Sequence, residues 1–192
     1  MRYHQLEKEI NKPFFSSRDI ALGGLKVYNH QLSEWVNKGY IERIKRGFYV
    51  FFNRRNEIDA KEISFHLCNP SYISMELALS YHGVIPEIVY SLTCLTTKNN
   101  IKFSNSFGNF IYRNIKPSLF FGYKVIETKN SKYLLAEPEK ALLDYLYLNH
   151  IKEDGFDEMR VNKEAINKEK LLLYAKEFNS KIINNLISRK IC

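Results

Sequence analysis

A chain of 192 residues, 45% apolar and 26% charged, is long enough to bury a core as one large domain or two small ones, which excludes collagen-like, coiled-coil and wholly disordered chains. No run approaches the roughly 20 uninterrupted apolar residues of a membrane-spanning helix, and the opening Met1 to Glu7 has no apolar signal core, so a soluble cytoplasmic protein with no membrane partner is expected. The formal charge of +8 is unevenly spread: residues 1–56 hold eleven Lys and Arg against five acids, a net +6, and residues 57–192 hold eighteen against sixteen, a net +2. A polyanionic partner is therefore sought in the first third.

Tyr3, Leu6 and Ile10 recur at helical spacing before Pro13 and predict a short first helix. Ser16 or Ser17 can cap a second helix, which Gly23-Gly24 ends after barely two turns. Tyr28, Leu32, Trp35 and Val36 then form the apolar stripe of a third helix, closed by Gly39, with Lys26, Asn29, His30, Ser33, Glu34 and Asn37 on or beside its polar face. Tyr40 to Ile44 and Phe48 to Phe52 read as two strands joined by Lys45-Arg46-Gly47.

Helix, short helix, turn, helix and basic hairpin is the order of a winged helix-turn-helix over residues 1–56. Major-groove docking of the third helix puts Lys26, Asn29, His30 and Ser33 nearest the base edges. Lys45 and Arg46 at the hairpin tip, with Arg43 behind, meet phosphates, and Arg54 and Arg55 extend that track. A protein-docking module is the alternative use of the same fold; the concentration of charge favours double-stranded DNA.

A polar stretch, Asn53 to Glu57, reads as a linker to an α+β domain over residues 57–192. Helices are expected from Ile58 to Cys68 and from Met75 to His82, the second capped by Ser74 and closed by Gly83. Strands Ser91–Thr97, Asn109–Ile115, Leu119–Glu127 and Lys132–Leu135 are expected to form an antiparallel sheet flanked by helices. A helix from Pro138 to His150 follows, which Asp154-Gly155-Phe156-Asp157 breaks, and two more helices between Asn167 and Ile191 are divided near Asn179-Ser180.

Catalytic chemistry finds little support. Glu137 and Glu139 point about 200 degrees apart on a helix and suit its N-terminal dipole better than a site. Glu127 and Lys129 form half of a metal-dependent nuclease pattern whose partner acid is missing. His66, Cys68 and His82 match no common metal spacing, and Cys68, Cys94 and Cys192 lack a CxxC pair, so reduced thiols are expected and a zinc ribbon is excluded. Neither GxxxxGK nor GxSxG occurs. The expected protein is not an enzyme, has no catalytic or metal residues and needs no cofactor.

Three segments carry a more specific signal: Leu32 to Tyr49, Tyr72 to Gly83 and Ala136 to Asp144. In this order they resemble the recurrent segments of AbiEi-type antitoxins. The resemblance implies a transcriptional autorepressor and antitoxin of a type IV toxin-antitoxin system tied to abortive infection of phage. It implies a winged helix on inverted repeats of its own promoter, and a C-terminal domain that opposes a nucleotidyltransferase toxin without a stable complex. The DNA role then maps to Lys26, Asn29, His30, Ser33, Arg43, Lys45 and Arg46, while no antitoxicity residue carries over. A stand-alone winged-helix regulator without a toxin is the alternative, and a nuclease using Glu127 and Lys129 the more remote one.

Overall fold

The structure, a computed structural model, describes residues 1–87, 89 and 91–191, so the Cys192 thiol lies outside the described residues. It is an α+β fold in two units. The first comprises Met1–Asp59 with Asn105–Phe107 and Thr128–Ser131, and the second holds the remainder.

In the first unit, α1 (Tyr3–Glu9) precedes β1 (Phe14–Ser16), α2 (Ser17–Leu22), α3 (Asn29–Asn37), β2 (Ile41–Lys45) and β3 (Phe48–Phe51). β3 lies between β1 and β2 and is antiparallel to both, with Phe15 opposite Tyr49 and Arg43 opposite Tyr49 from the other side. Strand β1 escapes sequence reading because three residues leave no alternation to detect. The core gathers Leu6, Phe15, Ile20, Leu32, Trp35, Ile41, Tyr49 and Phe51 from all six elements. Burying a Phe such as Phe15 or Phe51 stabilises by about 2–3 kcal/mol relative to exposure, and the Phe15 ring stacks on Tyr49 at 5.4 Å.

The expected linker at Asn53 to Glu57 is instead a 3-10 turn, Phe52–Glu57. Arg54 is the reason it is ordered. Its guanidinium pairs with Glu57 at 2.9 Å and donates to the carbonyls of Asn11 and Lys12, at 2.9 and 3.1 Å, so it holds the segment between α1 and β1.

In the second unit, α4 (Ala60–Leu67), β4 (Tyr72–Ile73) and α5 (Met75–Tyr81) lead into β5 (Leu92–Thr96), β6 (Ile101–Asn105), β7 (Gly108–Asn114), β8 (Tyr123–Glu127) and β9 (Lys132–Ala136). The sheet order is β6-β7-β5-β4-β9-β8. It is mixed, not antiparallel as expected: β5 runs parallel to β7 and β4 parallel to β9. The two-residue β4, too short to read from sequence, enters between β5 and β9, and β7 and β8, which a simple meander would pair, lie apart in the sheet. β5 is buried at all five positions, as suits a central strand covered on both faces.

Two other local expectations change. Strand β8 begins at Tyr123, because Pro117–Leu119 forms a 3-10 turn. Asp154 to Asp157 does not interrupt a helix but lies within one, α7 (Glu153–Glu158), whose first turn favours acids. Helix α6 (Pro138–Leu148) packs on α5 and on α8 (Lys168–Glu177), and Ser180 caps α9 (Lys181–Lys190) through the Ile183 amide.

Candidate nucleic-acid interface

Helix α2 is fixed at both ends by its own sequence. Ser16 Oγ accepts from the Asp19 amide at 3.2 Å, and the Asp19 carboxylate accepts from the Ser16 amide at 2.7 Å, a reciprocal capping box. At the other end Gly24 takes φ +63, and the Leu25 and Gly24 amides reach back to the Ile20 and Ala21 carbonyls. That is a Schellman closure, which an L side chain at position 24 would strain. Helix α3 ends in the same way at Gly39, with Tyr40 bonded to the Trp35 carbonyl.

Between these fixed ends α3 turns Leu32 and Trp35 into the core and leaves Asn29, His30, Ser33, Glu34 and Asn37 exposed. Two sequence expectations fail here. Lys26 is not on the helix, because α3 starts at Asn29; Lys26 lies in the segment before it and its carbonyl accepts from the Met1 amine at 3.3 Å. Tyr28 is not in the buried stripe. As the N-cap residue it sits outside the helical periodicity, and its ring is 60% exposed. Ser33 donates its hydroxyl to the Asn29 carbonyl at 3.1 Å, which leaves it an acceptor rather than a donor to anything outside. Glu34 pairs with Lys38 at 2.6 Å; this hydrogen bond and charge hold its carboxyl below the usual range, so its negative charge has a local counterion.

The hairpin turn is Arg46-Gly47, tighter than expected, because Lys45 still pairs with Phe48. Gly47 supplies φ +74 there. Arg46 is exposed with no ion-pair partner among the described residues, while Arg43, also exposed, lies over the Tyr49 ring at 5.9 Å. The Ser17 amide donates to the Gly47 carbonyl at 2.9 Å, which joins the start of α2 to the hairpin turn. Exposed Arg18 follows directly. Sequence reading passed over it, although a basic residue just inside a capped helix start was visible.

Arg54 and Arg55 are both engaged within the unit. Arg54 is bonded internally as described, and Arg55 lies over the Phe52 ring at 6.0 Å and 4.0 Å from the Glu42 carboxylate.

The second unit contains a different arrangement. Lys140 and Asp144, one turn apart on α6, form a fully buried ion pair. Lys140 Nζ also donates to the Tyr72 hydroxyl at 2.8 Å and sits 5.1–5.2 Å from the centres of the Tyr72, Phe121 and Phe178 rings. Tyr72 and Ser74 donate to the other Asp144 oxygen at 3.0 and 2.8 Å. Burial lowers the Lys140 pKa and raises that of Asp144, against their mutual attraction. The expected Ser74 helix cap is absent because its hydroxyl is spent on this network. The next residue, Met75, is held at φ +60, a strained value for a side chain that is itself buried.

Glu137 and Glu139 do more than complement a helix dipole. Glu137 accepts from Tyr174 Oη at 2.7 Å and pairs with Lys170 at 2.7 Å, and Glu139 accepts from the Asn167 amide at 2.8 Å. Together they tie the N-terminal end of α6 to α8. Burial alone would raise the Glu137 pKa, but Lys170, Tyr174 and Lys124 outweigh it and hold the carboxyl below the usual range.

Glu127 and Lys129 are exposed at the end of β8 and just beyond it. His82 bonds the Ala136 carbonyl at 2.8 Å and Cys68 lies 3.7 Å from the Thr96 hydroxyl, so these two serve packing. Among the described residues no three His, Cys, Asp or Glu converge as a metal site. A groove of about 310 Å³ in this unit is lined by Glu76, Glu87 and Glu158 among other residues, and Glu87 pairs with Arg160. No helix among the described residues is long and apolar enough to cross a membrane.

The arrangement thus defines an α+β protein whose first unit presents a short helix, a glycine-closed turn and an exposed helix beside a basic hairpin. Residues 5–51 match the sequence model of a family described as "Transcriptional regulator, AbiEi antitoxin". The matched segment runs from within α1 to the end of β3, and it fits a helix-turn-helix-like region. No curated protein matches the chain.

Proposed function

We propose that the protein is a DNA-binding transcriptional autorepressor whose first unit is a winged helix-turn-helix. Helix α3 enters the major groove of a promoter inverted repeat with Asn29 and His30 foremost, and Ser33 is limited to accepting. Arg46 in the hairpin turn, Lys45 and Arg43 on β2, Arg18 next to the Ser17–Gly47 bond and Lys26 ahead of α3 meet the phosphates. The observation that carries this reading is the exposed start of α3 in the same unit as a hairpin turn that presents exposed Arg46, where most of the chain's excess charge also lies.

The family matched by residues 5–51 supports the further reading of residues 57–192 as an antitoxin domain of a type IV system. Its partner is a cytoplasmic nucleotidyltransferase toxin, opposed without a stable complex. Co-expression with a nucleotidyltransferase encoded alongside should restore growth that the toxin alone arrests. Unrelieved arrest, or a locus without such a gene, leaves the stand-alone regulator as the correct reading.

A further inference from the structure

Among the exposed groups at the start of α3, one is apolar. The Tyr28 ring is 60% exposed and lies nearly parallel to the exposed His30 ring, at 8° with centroids 5.7 Å apart. Its backbone is immobilised: the Tyr28 amide donates to Gln31 Oε1 at 3.1 Å, the Gln31 amide group donates to the Met1 carbonyl at 2.8 Å, and the Tyr28 carbonyl accepts from the Leu32 amide at 3.2 Å. A stacked pair on a fixed backbone has little rotamer freedom left to lose on binding, which makes it an economical contact.

Resting on the DNA-binding reading above, we infer that the Tyr28–His30 stack is a sequence-reading contact for thymine. The major-groove edges of the bases offer one apolar group, the thymine C5-methyl. An exposed aromatic face beside the hydrogen-bonding Asn29 and His30 is complementary to a thymine next to a hydrogen-bonded base. The positive charge of the same unit supplies the attraction to phosphate that brings the ring there. Tyr28 thereby adds apolar readout to an interface otherwise built from polar and cationic groups.

The experiment uses the full chain and a duplex enriched on it from a randomised pool, resynthesised with deoxyuridine in place of thymine one position at a time. For the native protein, at least one substitution should weaken binding about fourfold, the value of one methyl-sized contact. Tyr28→Phe should keep both affinity and that sensitivity. Tyr28→Ala should bind about tenfold more weakly and become indifferent to the methyl, with unchanged thermal unfolding because the ring is outside the core. Retained methyl sensitivity in Tyr28→Ala, or no sensitive thymine in the native protein, overturns the inference while leaving DNA binding intact. Failure of the native protein to enrich any duplex overturns the DNA-binding reading itself.

Discussion

Lys140 and Asp144, separated by one turn of α6, meet in direct contact with both side chains wholly removed from solvent. The pair also ties β4 and the start of α5 to α6, since Tyr72 on β4 and Ser74 just before α5 bond to Lys140 and Asp144 on α6. These residues form a buried structural lock between β4 and α6.

Removing one member of such a pair strands the other. Asp144→Ala is expected to cost about 3–5 kcal/mol in urea unfolding, because it leaves the buried ammonium without its carboxylate. The double variant Lys140→Met with Asp144→Leu should recover only part of this, since the Tyr72 and Ser74 hydroxyls lose their acceptor. A loss below about 1 kcal/mol for Asp144→Ala would contradict a buried charged pair.

The lowered pKa of Glu137 sets an acid dependence. Its folded value lies below its unfolded value, so its contribution is present above the unfolded pKa of about 4.3 and is lost as pH falls through the folded value. Glu137→Gln should therefore destabilise by about 1–2 kcal/mol at pH 7, with the gap from the native protein closing below about pH 4. A gap of constant size across that range would refute the assignment.

Burial pushes the Cys94 thiol up to about 12, and the residue is 1% exposed. Peptide mapping after iodoacetamide treatment should find Cys94 unmodified in the native protein and alkylated in denaturant. Rapid native labelling would contradict the packing of β5.

Arg54 and Arg46 should separate stability from binding. Arg54→Ala removes an ion pair and several carbonyl bonds and is expected to lower stability by about 1–3 kcal/mol, while Arg46→Ala should leave the unfolding midpoint within about 0.5 kcal/mol of native. The reverse order, read by thermal unfolding, would show that the two arginines have been assigned the wrong roles.

What the sequence discloses about this fold depends on how local the determining signal is. Gly24, Gly39 and Gly83 marked helix ends correctly because a left-handed closing residue is a local requirement. The hairpin was legible for the same reason at Gly47. The order of the second sheet was not legible, since a two-residue strand such as β4 has no pattern and its neighbours are chosen by tertiary packing. Tyr28 was misplaced because an N-cap residue lies at helical spacing from Leu32 without sharing the helix's face. Arg54 and Arg55 show that charge read along the chain does not reveal which cations are already consumed internally.

The central claim, DNA contact by the exposed α3 and the Arg46 turn, is tested most directly by fluorescence anisotropy against the duplex upstream of the coding sequence at several salt concentrations. The native protein should bind that duplex more tightly than a scrambled one, with affinity falling linearly on a log–log salt plot, and Arg46→Ala should reduce the slope by about one. Equal affinity for scrambled DNA, or a slope that Arg46→Ala leaves unchanged, would contradict the account.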